Sequence, residues 1–404
     1  MASPLDGIQV LDLTRVLAGP FATMRLGDMG ARIIKIEIPG KGDDTRIFGP
    51  PFLEGESAYY LSVNRNKESI TLNIRSDKGK EVLTKLIEKC DVIIENFRPG
   101  TLEKLGFSYT RIQEINDRII YCAVSGYGHS GPRRLDPSYD LITQAESGLM
   151  DMTGTVDGTP TKVGISLADV TAGLTATEGV LLALIHRGKT GKGQMIDVSL
   201  LDALIPLFTY QAQNYFATGA TPKRRGNLHP TIVPYQSFLA KDDHFIFAIA
   251  TEGQWHSLLK IWPDLIEDTD KTLANVLEDE RFSVNSSRVK HREELCSILE
   301  KVFSSKTVDE WMKIFKSADI PTGRINQLSD ILESDLAKAR GTVQNMDHPK
   351  IGKIRTLGIP IKLSDSPGMI RLPPPTLGQH TEEVLHELGY SGDEIKEMRT
   401  EGTI

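Results

Sequence analysis

"GIQVLDLTRVLAGPFATMRLGDMGARIIKIE", residues 7–37, sets two short runs of branched apolar residues on either side of a segment with helical spacing. "GIQVLDLT" and "ARIIKIE" read as strands, since apolar runs without strict alternation suit strands covered on both faces. Between them, "GPFATMRLGDMG" reads as a helix, with Pro20 near its start and Gly30 just past its end. Strand, helix and strand in that order make a βαβ unit.

The alternation continues outward from there. "GKEVLTKLIEKC" (79–90) is helical in pattern, and "DVIIENF" (91–97) and "RIIYCAVSG" (118–126) read as further buried strands. Such a sequence predicts an α/β fold, a Rossmann-like parallel sheet with helices outside. A long helix is expected over Val170 to His186, stopped by the glycines of "RGKTGKG" and followed by the strand "QMIDVSL". The basic, Pro- and Gly-punctuated "ATPKRRGNLHPTIVP" (220–234) reads as a domain junction. Beyond it "HFIFAIAT" is a strand candidate, and Trp255 to about Ile320 is mainly helical in pattern, which predicts a smaller α+β domain. The expected division is therefore a large Rossmann-like domain over 1–220, a small domain over 221–328 and a segment over 329–404 that returns to the large domain. In that last segment a helix should begin near Thr381, with Glu382 and Glu383 in its first turn.

The bulk properties narrow the functions this fold could carry. At 404 residues the chain has room for two or three domains of about 150 residues each. The 54 acidic and 47 basic residues leave a net charge of -7, which argues against nucleic acid as a partner. With 39% hydrophobic residues and a mean hydropathy of -0.22, no apolar run is expected to reach the length of a membrane span. Cys90, Cys122 and Cys296 are far apart and outside any C-x-x-C spacing, which fits a reducing compartment such as the cytoplasm or the mitochondrial matrix. The start, "MASPLDGIQVLDL", shows no secretory or transit signal, although a presequence already removed would leave no trace.

Familiar motifs are incomplete. "GYGHSG" (126–131) satisfies G-x-G-x-x-G after a strand, but the chain continues "PRRLDPSYD" instead of opening a helix toward a pyrophosphate, so a dinucleotide site is not indicated. "GKTGKG" leaves a helix and is no P-loop. The nine histidines show neither H-E-x-x-H nor a Cys/His cluster, which argues against metal, and no G-x-S-x-G elbow is present. What remains is Asp169, a lone acid amid the small and apolar residues of "GISLADVTAG". Its place before a helical pattern makes it a candidate N-cap. A helix N-terminus would also keep its carboxylate ionised, and small neighbours would leave clearance for a large substrate, so the same residue is a candidate nucleophile.

Read together, "LDLTRVLAGPFATMRLGDMGARIIKIE", "NRNKESITLNI", "IIENFRPGTLEKLGF", "SGYGHSGP", "SYDLITQAESGLM", "DVTAGLTATEGVLLALIHRGKTGKGQMIDVSL" and "LGQHTEEVLHELGY" resemble the class III CoA-transferase family, nearly end to end and in order. The resemblance implies that Asp169 is the nucleophile, acylated by a CoA thioester and passing through an anhydride and an aspartyl-CoA thioester without metal or permanently bound cofactor. It implies CoA contacts at Val16, Leu17, Ala18, Leu72, Asn73, Ile74, Arg75, Asn96, Phe97, Arg98, Lys104 and Tyr139, along the C-terminal edge of the sheet. It further implies an interlocked homodimer, with acyl-CoA and a carboxylic acid as the other partners.

Two departures stand out. Ile38 occupies a place where the family often has a phosphate-binding arginine, which Lys35 or Lys41 could replace. "GNLHPTIVPYQ" stands where formyl-CoA:oxalate transferases carry a run of glycines, so the resemblance leans toward the succinyl-CoA-dependent branch acting on dicarboxylates such as glutarate, hydroxymethylglutarate or itaconate. Arg15, Arg46, Arg224, Arg225 and His229 are the candidates for holding a distal carboxylate. The rival reading within the fold is an α-methylacyl-CoA racemase, whose histidine would stand at Tyr139; a phenol ordinarily titrates near 10 and is a poor base at neutral pH. A rival outside catalysis is a CoA-binding protein in which Asp169 only caps a helix.

Overall fold

A computed structural model describes residues 3–266 and 271–404. Residues 1–2, and residues 267–270 inside the stretch expected to be helical, lie outside the described residues. The chain forms two compact units, one of residues 1–150, 162–220 and 335–404, the other of residues 151–161 and 221–334.

The first unit is built on six strands: β1 (Gln9–Asp12), β2 (Arg32–Glu37), β3 (Lys67–Thr71), β4 (Val92–Glu95), β5 (Ile120–Ser125) and β6 (Met195–Ser199). They pair in the order β3-β2-β1-β4-β5-β6, all parallel. That is the doubly wound order, with its reversal of direction between β1 and β4. The helix α1 (Ala18–Asp28) links β1 to β2, α2 (Asp77–Lys89) links β3 to β4, and after β5 come α3 (Asp140–Glu146) and α4 (Leu167–Thr190). Strands with apolar residues on both faces feed two cores. One, under α2, contains Leu11, Ile34, Ile70, Ile93 and Tyr121; the other, under α1 and α4, contains Val10, Ile33, Val92, Ile94 and Cys122.

Helix α4 departs from expectation in three respects. It begins three residues before Val170, with Ser166 as a cap that makes no side-chain bond, so Asp169 is the third helical residue and not the N-cap. Second, the small residues within the helix are not clearance, although Gly164 just before it does face open space. Ala172, Ala176 and Ala183 are buried in the core shared with α1, and a Cβ on Gly173 would lie 2.7 Å from the Ala18 carbonyl oxygen. They let two helices approach closely, and substrate room comes from elsewhere. Third, the helix is long and apolar enough to cross a membrane, with mean hydropathy 1.4 over an 18-residue window, although no such run was anticipated. Its Ala172–Val180 stripe packs on the sheet, as a core helix does.

The second unit has a three-stranded antiparallel sheet of β7 (Tyr235–Leu239), β8 (His244–Ala248) and β9 (Thr322–Arg324), with β8 central. Helices α5 (Glu252–Ile266), α6 (Arg292–Phe303) and α7 (Val308–Ser317) cover it around Phe238, Phe245, Phe247, Phe303 and Phe315. The boundaries differ from the sequence-based division: residues 151–161, expected in the large domain, and residues 329–334 belong to this unit. The segment 151–161 carries no compositional mark of a boundary, being one more Gly- and Thr-rich loop. The remaining C-terminal part rejoins the first unit, where a helix over Thr381–Glu387 starts where the sequence predicted and packs Val384 and Leu385 into the core under α2.

Candidate active site

In a doubly wound sheet the crevice opens past the C-terminal ends of the strands where the order reverses. There the loops after β1, β4 and β5 enclose a cavity of about 240 Å³, lined by Arg15 to Ala18, Asn96 to Pro99 and Val124 to Gly126, with Asp169 in its wall. Gly126 admits the loop that follows β5, since a Cβ there would meet the Ser138 side chain at 2.3 Å. That loop reaches Tyr139 and α3 without forming a helix after "GYGHSG", as the prolines foretold. "GKTGKG" leaves α4 through Gly191, with φ 76°, and enters β6.

The loop after β1 is held from below by buried charges. Lys35 pairs with Asp43 at 3.0 Å and Lys67 with Asp12 at 3.1 Å, and all four side chains are fully buried. Lys35 Nζ donates to the Thr14 carbonyl (2.8 Å), and the Val16 amide donates to Asp43 Oδ1 (3.2 Å). Burial alone would raise the Asp43 carboxyl, but Lys35 and the Thr45 amide more than offset that, so it stays low and ionised. These contacts hold Val16 at φ 69°, a left-handed conformation that is costly for a β-branched residue. From above, the Asn96 side chain clamps Arg15, accepting from its amide (2.8 Å) and donating to its carbonyl (2.7 Å). The Arg15 guanidinium lies 5.2 Å from the Phe97 ring centre, and its ionic partner is Asp44 at 3.6 Å.

Asp169 reaches this cavity from the first turn of α4. Its electrostatics are the reverse of what a helix N-terminus alone suggests: burial, and then the charge of Asp140, push its carboxyl up from 3.8 to about 7. Tyr59 faces the same acids. Burial, Asp169 and Asp140 push its phenol up to about 12, so it remains a neutral hydroxyl.

Val16, Leu17, Ala18, Asn96, Phe97, Arg98 and Tyr139 all line the cavity that holds Asp169. Leu72, Asn73, Ile74 and Arg75 line a second cavity of about 360 Å³, together with Ile36 to Pro39 and Gly402, and Arg15 and Phe97 are common to both. Lys104 is exposed and lines neither. Lys35 cannot stand in for the missing phosphate-binding arginine, because it is buried in its pair with Asp43, while Lys41 is exposed and pairs with Asp44 at 2.7 Å. Arg46 is likewise unavailable for a distal carboxylate: Nε and Nη2 are both bonded to Glu37 (2.7 and 2.6 Å), and the guanidinium stacks 3.8 Å from the Tyr60 ring centre. Arg224, Arg225 and His229 belong to the second unit, where Arg224 pairs with Asp151 at 2.9 Å. Sequence reasoning missed Asp140, Arg134 and Tyr59. The first two stand in the quoted "PRRLDPSYD", but nothing in the spacing connects that loop with a helix beginning some 30 residues later. Among the described residues no group of three or more His, Cys, Asp or Glu could hold a metal ion.

The strand order and the acid at its reversal point define a doubly wound α/β protein with a carboxyl group in the wall of its crevice. A family model described as CoA-transferase family III matches residues 5–381. Succinyl-CoA:glutarate CoA-transferase of Mus musculus is 41% identical over 99% of this chain and 90% of its own length. Acetyl-CoA:oxalate CoA-transferase of Acetobacter aceti is 38% identical, with 89% of each chain covered. Among solved structures, a CAIB/BAIF family protein from Brucella suis superimposes with a TM-score of 0.84 at 38% identity, covering 96% of this chain and 100% of that one. The chain belongs to CoA-transferase family III and is a CoA-transferase.

Proposed function

We propose that the protein moves CoA from succinyl-CoA to a dicarboxylate such as glutarate, hydroxymethylglutarate or itaconate, with Asp169 as the covalent nucleophile. The observation that most supports this reading is the placement of Asp169 in the crevice at the reversal point of the sheet. The cavity there shares Arg15 and Phe97 with a second one, as an elongated thioester would require. In this reading the pantetheine arm passes Asn96 to Arg98 and Tyr139, and the nucleotide end occupies the cavity of Leu72 to Arg75, with Lys104 available to phosphate from the exposed surface.

The Asp169 carboxylate attacks the succinyl carbonyl carbon and CoA leaves as the thiolate, giving an aspartyl succinyl anhydride. The thiolate then attacks the aspartyl carbonyl carbon and releases succinate, leaving an aspartyl-CoA thioester. The acceptor carboxylate displaces CoA thiolate to form a second anhydride, and the thiolate takes the acceptor acyl group, restoring the Asp169 carboxylate. No water is consumed, and exclusion of water protects both anhydrides. Of the five basic residues named for a distal carboxylate, Arg15 lines the cavity with Asp169, and its loose pairing with Asp44 leaves donors free for a planar anion.

Exposed apolar residues on α4 and the following chain, Leu174, Leu182, Ile185 and Phe216 among them (40, 59, 60 and 72% accessible), form a surface of the kind that a protein partner covers. By family resemblance that partner is a second copy in an interlocked homodimer, which sedimentation would detect. The 38% identity to an acetyl-CoA:oxalate transferase favours oxalate as the second acceptor to consider. Incubation with succinyl-CoA and hydroxylamine should leave a hydroxamate on Asp169, and mass analysis of new thioesters from a panel of carboxylates should single out the acceptor. An unmodified Asp169 together with full activity of Asp169→Ala would overturn the covalent route.

A further inference from the structure

The N-terminus of α4 lacks a cap of its own. Ser166 makes no side-chain bond to the helix, yet the amides of Ala168 and Asp169 both have a partner: Oδ1 of Asp140, at 2.8 and 3.4 Å. Asp140 is the first residue of α3, and one turn further on the same face Gln144, fully buried, donates Nε2 to Asp140 Oδ2 (2.7 Å) and to the Ile165 carbonyl (3.2 Å). Gln144 Oε1 accepts from the Val163 amide at 3.0 Å. Residues 163–169 are thus laced to α3 by two side chains, and one of them brings a negative charge beside Asp169.

We propose that Asp140 is the positioning residue of the nucleophile: it caps α4 from a neighbouring helix, fixes the turn that aims the Asp169 carboxylate, and sets a fixed negative charge against it. The proposal rests on Asp169 being the nucleophile. The geometry makes one group serve two ends. Its oxygen satisfies helix donors that would otherwise be orphaned. Its charge disfavours the anionic form of Asp169, and acylation of Asp169 removes that repulsion, because neither the anhydride nor the thioester carries charge on the aspartyl carbonyl. The raised carboxyl of Asp169, with Asp140 as its second cause after burial, agrees with this arrangement. A more basic carboxylate is also the better nucleophile. The other charged groups around the cavity are Arg15, Arg98, Arg134, Asp44 and Asp136, with the Tyr59 and Tyr139 phenols beside them. They are common to the wild type and the variants below.

The test is the pH dependence of single-turnover acylation by succinyl-CoA, trapped as the Asp169 hydroxamate between pH 5.5 and 9. With the Asp169 carboxyl at about 7, only about one enzyme in eleven is ionised at pH 6. Asp140→Asn keeps an oxygen for the Ala168 amide and removes the charge, so its acid limb should move to lower pH. Its rate at pH 6, relative to its own plateau, should rise by up to about tenfold. Asp140→Ala should show the same shift and, with the turn no longer fixed, lose about tenfold or more from the plateau. Asp140→Ser, which also keeps an oxygen without the charge, replaces the Asn variant if that one does not fold. A merely structural role would lower the plateau and leave the limb in place, so an acid limb of Asp140→Asn superimposed on that of the wild type overturns the proposal. Failure of the wild type itself to form a hydroxamate at Asp169 overturns the nucleophile assignment instead.

Discussion

Lys35→Met tests whether the buried ion pairs beneath the crevice hold the first loop in shape. The substitution keeps length and apolar volume and deletes one charge, leaving Asp43 buried with its Oδ1 still bonded to Thr45 and Val16 but without its ion-pair partner, the charge of Lys67 acting only from farther off. Breaking a buried pair in this way costs about 3–5 kcal/mol, because the surviving ion keeps its desolvation penalty and loses the attraction that offset it. Without Lys35 the burial of Asp43 would push its carboxyl upward, and protonation would then relieve the strain. The loss should therefore be larger at pH 8 than at pH 5, since a raised carboxyl favours folding as pH falls. The three tryptophans, Trp255, Trp262 and Trp311, all sit in the second unit, so their fluorescence does not report on this site. Hydrogen exchange of peptides covering β1 and β2 does, and it should show opening easier by the stated amount. Asp43→Asn on the same background should restore a large part of it. A cost below about 1 kcal/mol, or effects of the two substitutions that simply add, would refute the reasoning.

Three further outcomes follow from the same geometry. Arg15→Gln should raise KM for a dicarboxylate acceptor about 10- to 100-fold, the worth of a charge-assisted hydrogen bond, and leave a monocarboxylate of similar size nearly unaffected; equal effects on both would remove Arg15 from acceptor recognition. Gly173→Val forces a side chain against the Ala18 carbonyl, 2.7 Å from the ideal Cβ, and should cost about 1–3 kcal/mol while sharply reducing acylation of Asp169, with thermal melting and hydroxamate yield as readouts. Glu95 is 3% exposed and burial pushes its carboxyl from 4.5 to about 7, so the folded chain retains a proton that the unfolded chain has released. Stability of the first unit should then fall by about 3 kcal/mol as pH rises from 4.5 through 7, and Glu95→Gln should lack that fall; parallel pH curves for the two proteins would dispose of the idea.

The layered fold was legible because strands buried on both faces must be apolar nearly throughout, and "VLDL", "RIIKIE" and "DVIIEN" carry that mark beside helices with clear periodicity. The charges inside those strands were not. Asp12, Lys35 and Lys67 occupy strand or strand-end positions that a pattern treats as tolerated exceptions, yet they pair with residues up to 55 positions away and hold the loop after β1 from beneath. Pairing of this kind is set by which strands lie side by side, and the order β3-β2-β1 is a property of the sheet that no single strand encodes.

The same limit explains the reading of "LADVTAGLTATEGV". Small residues at helical spacing have two physical uses, open space for a ligand or close approach of a neighbouring backbone, and the sequence of one helix is identical in both cases. The choice is made by α1, whose Ala18 carbonyl occupies the place where a Cβ of Gly173 would stand. With that face committed to packing, the cavity lies beyond the N-terminal end of α4, toward the loops after β1, β4 and β5, and Asp169 reaches it from the helix's first turn. A nucleophile there would ordinarily be held anionic by the helix dipole. Burial and a second acid in the cap position work against that tendency and push the carboxyl up to about 7, the basicity that the proposed attack on a thioester would use.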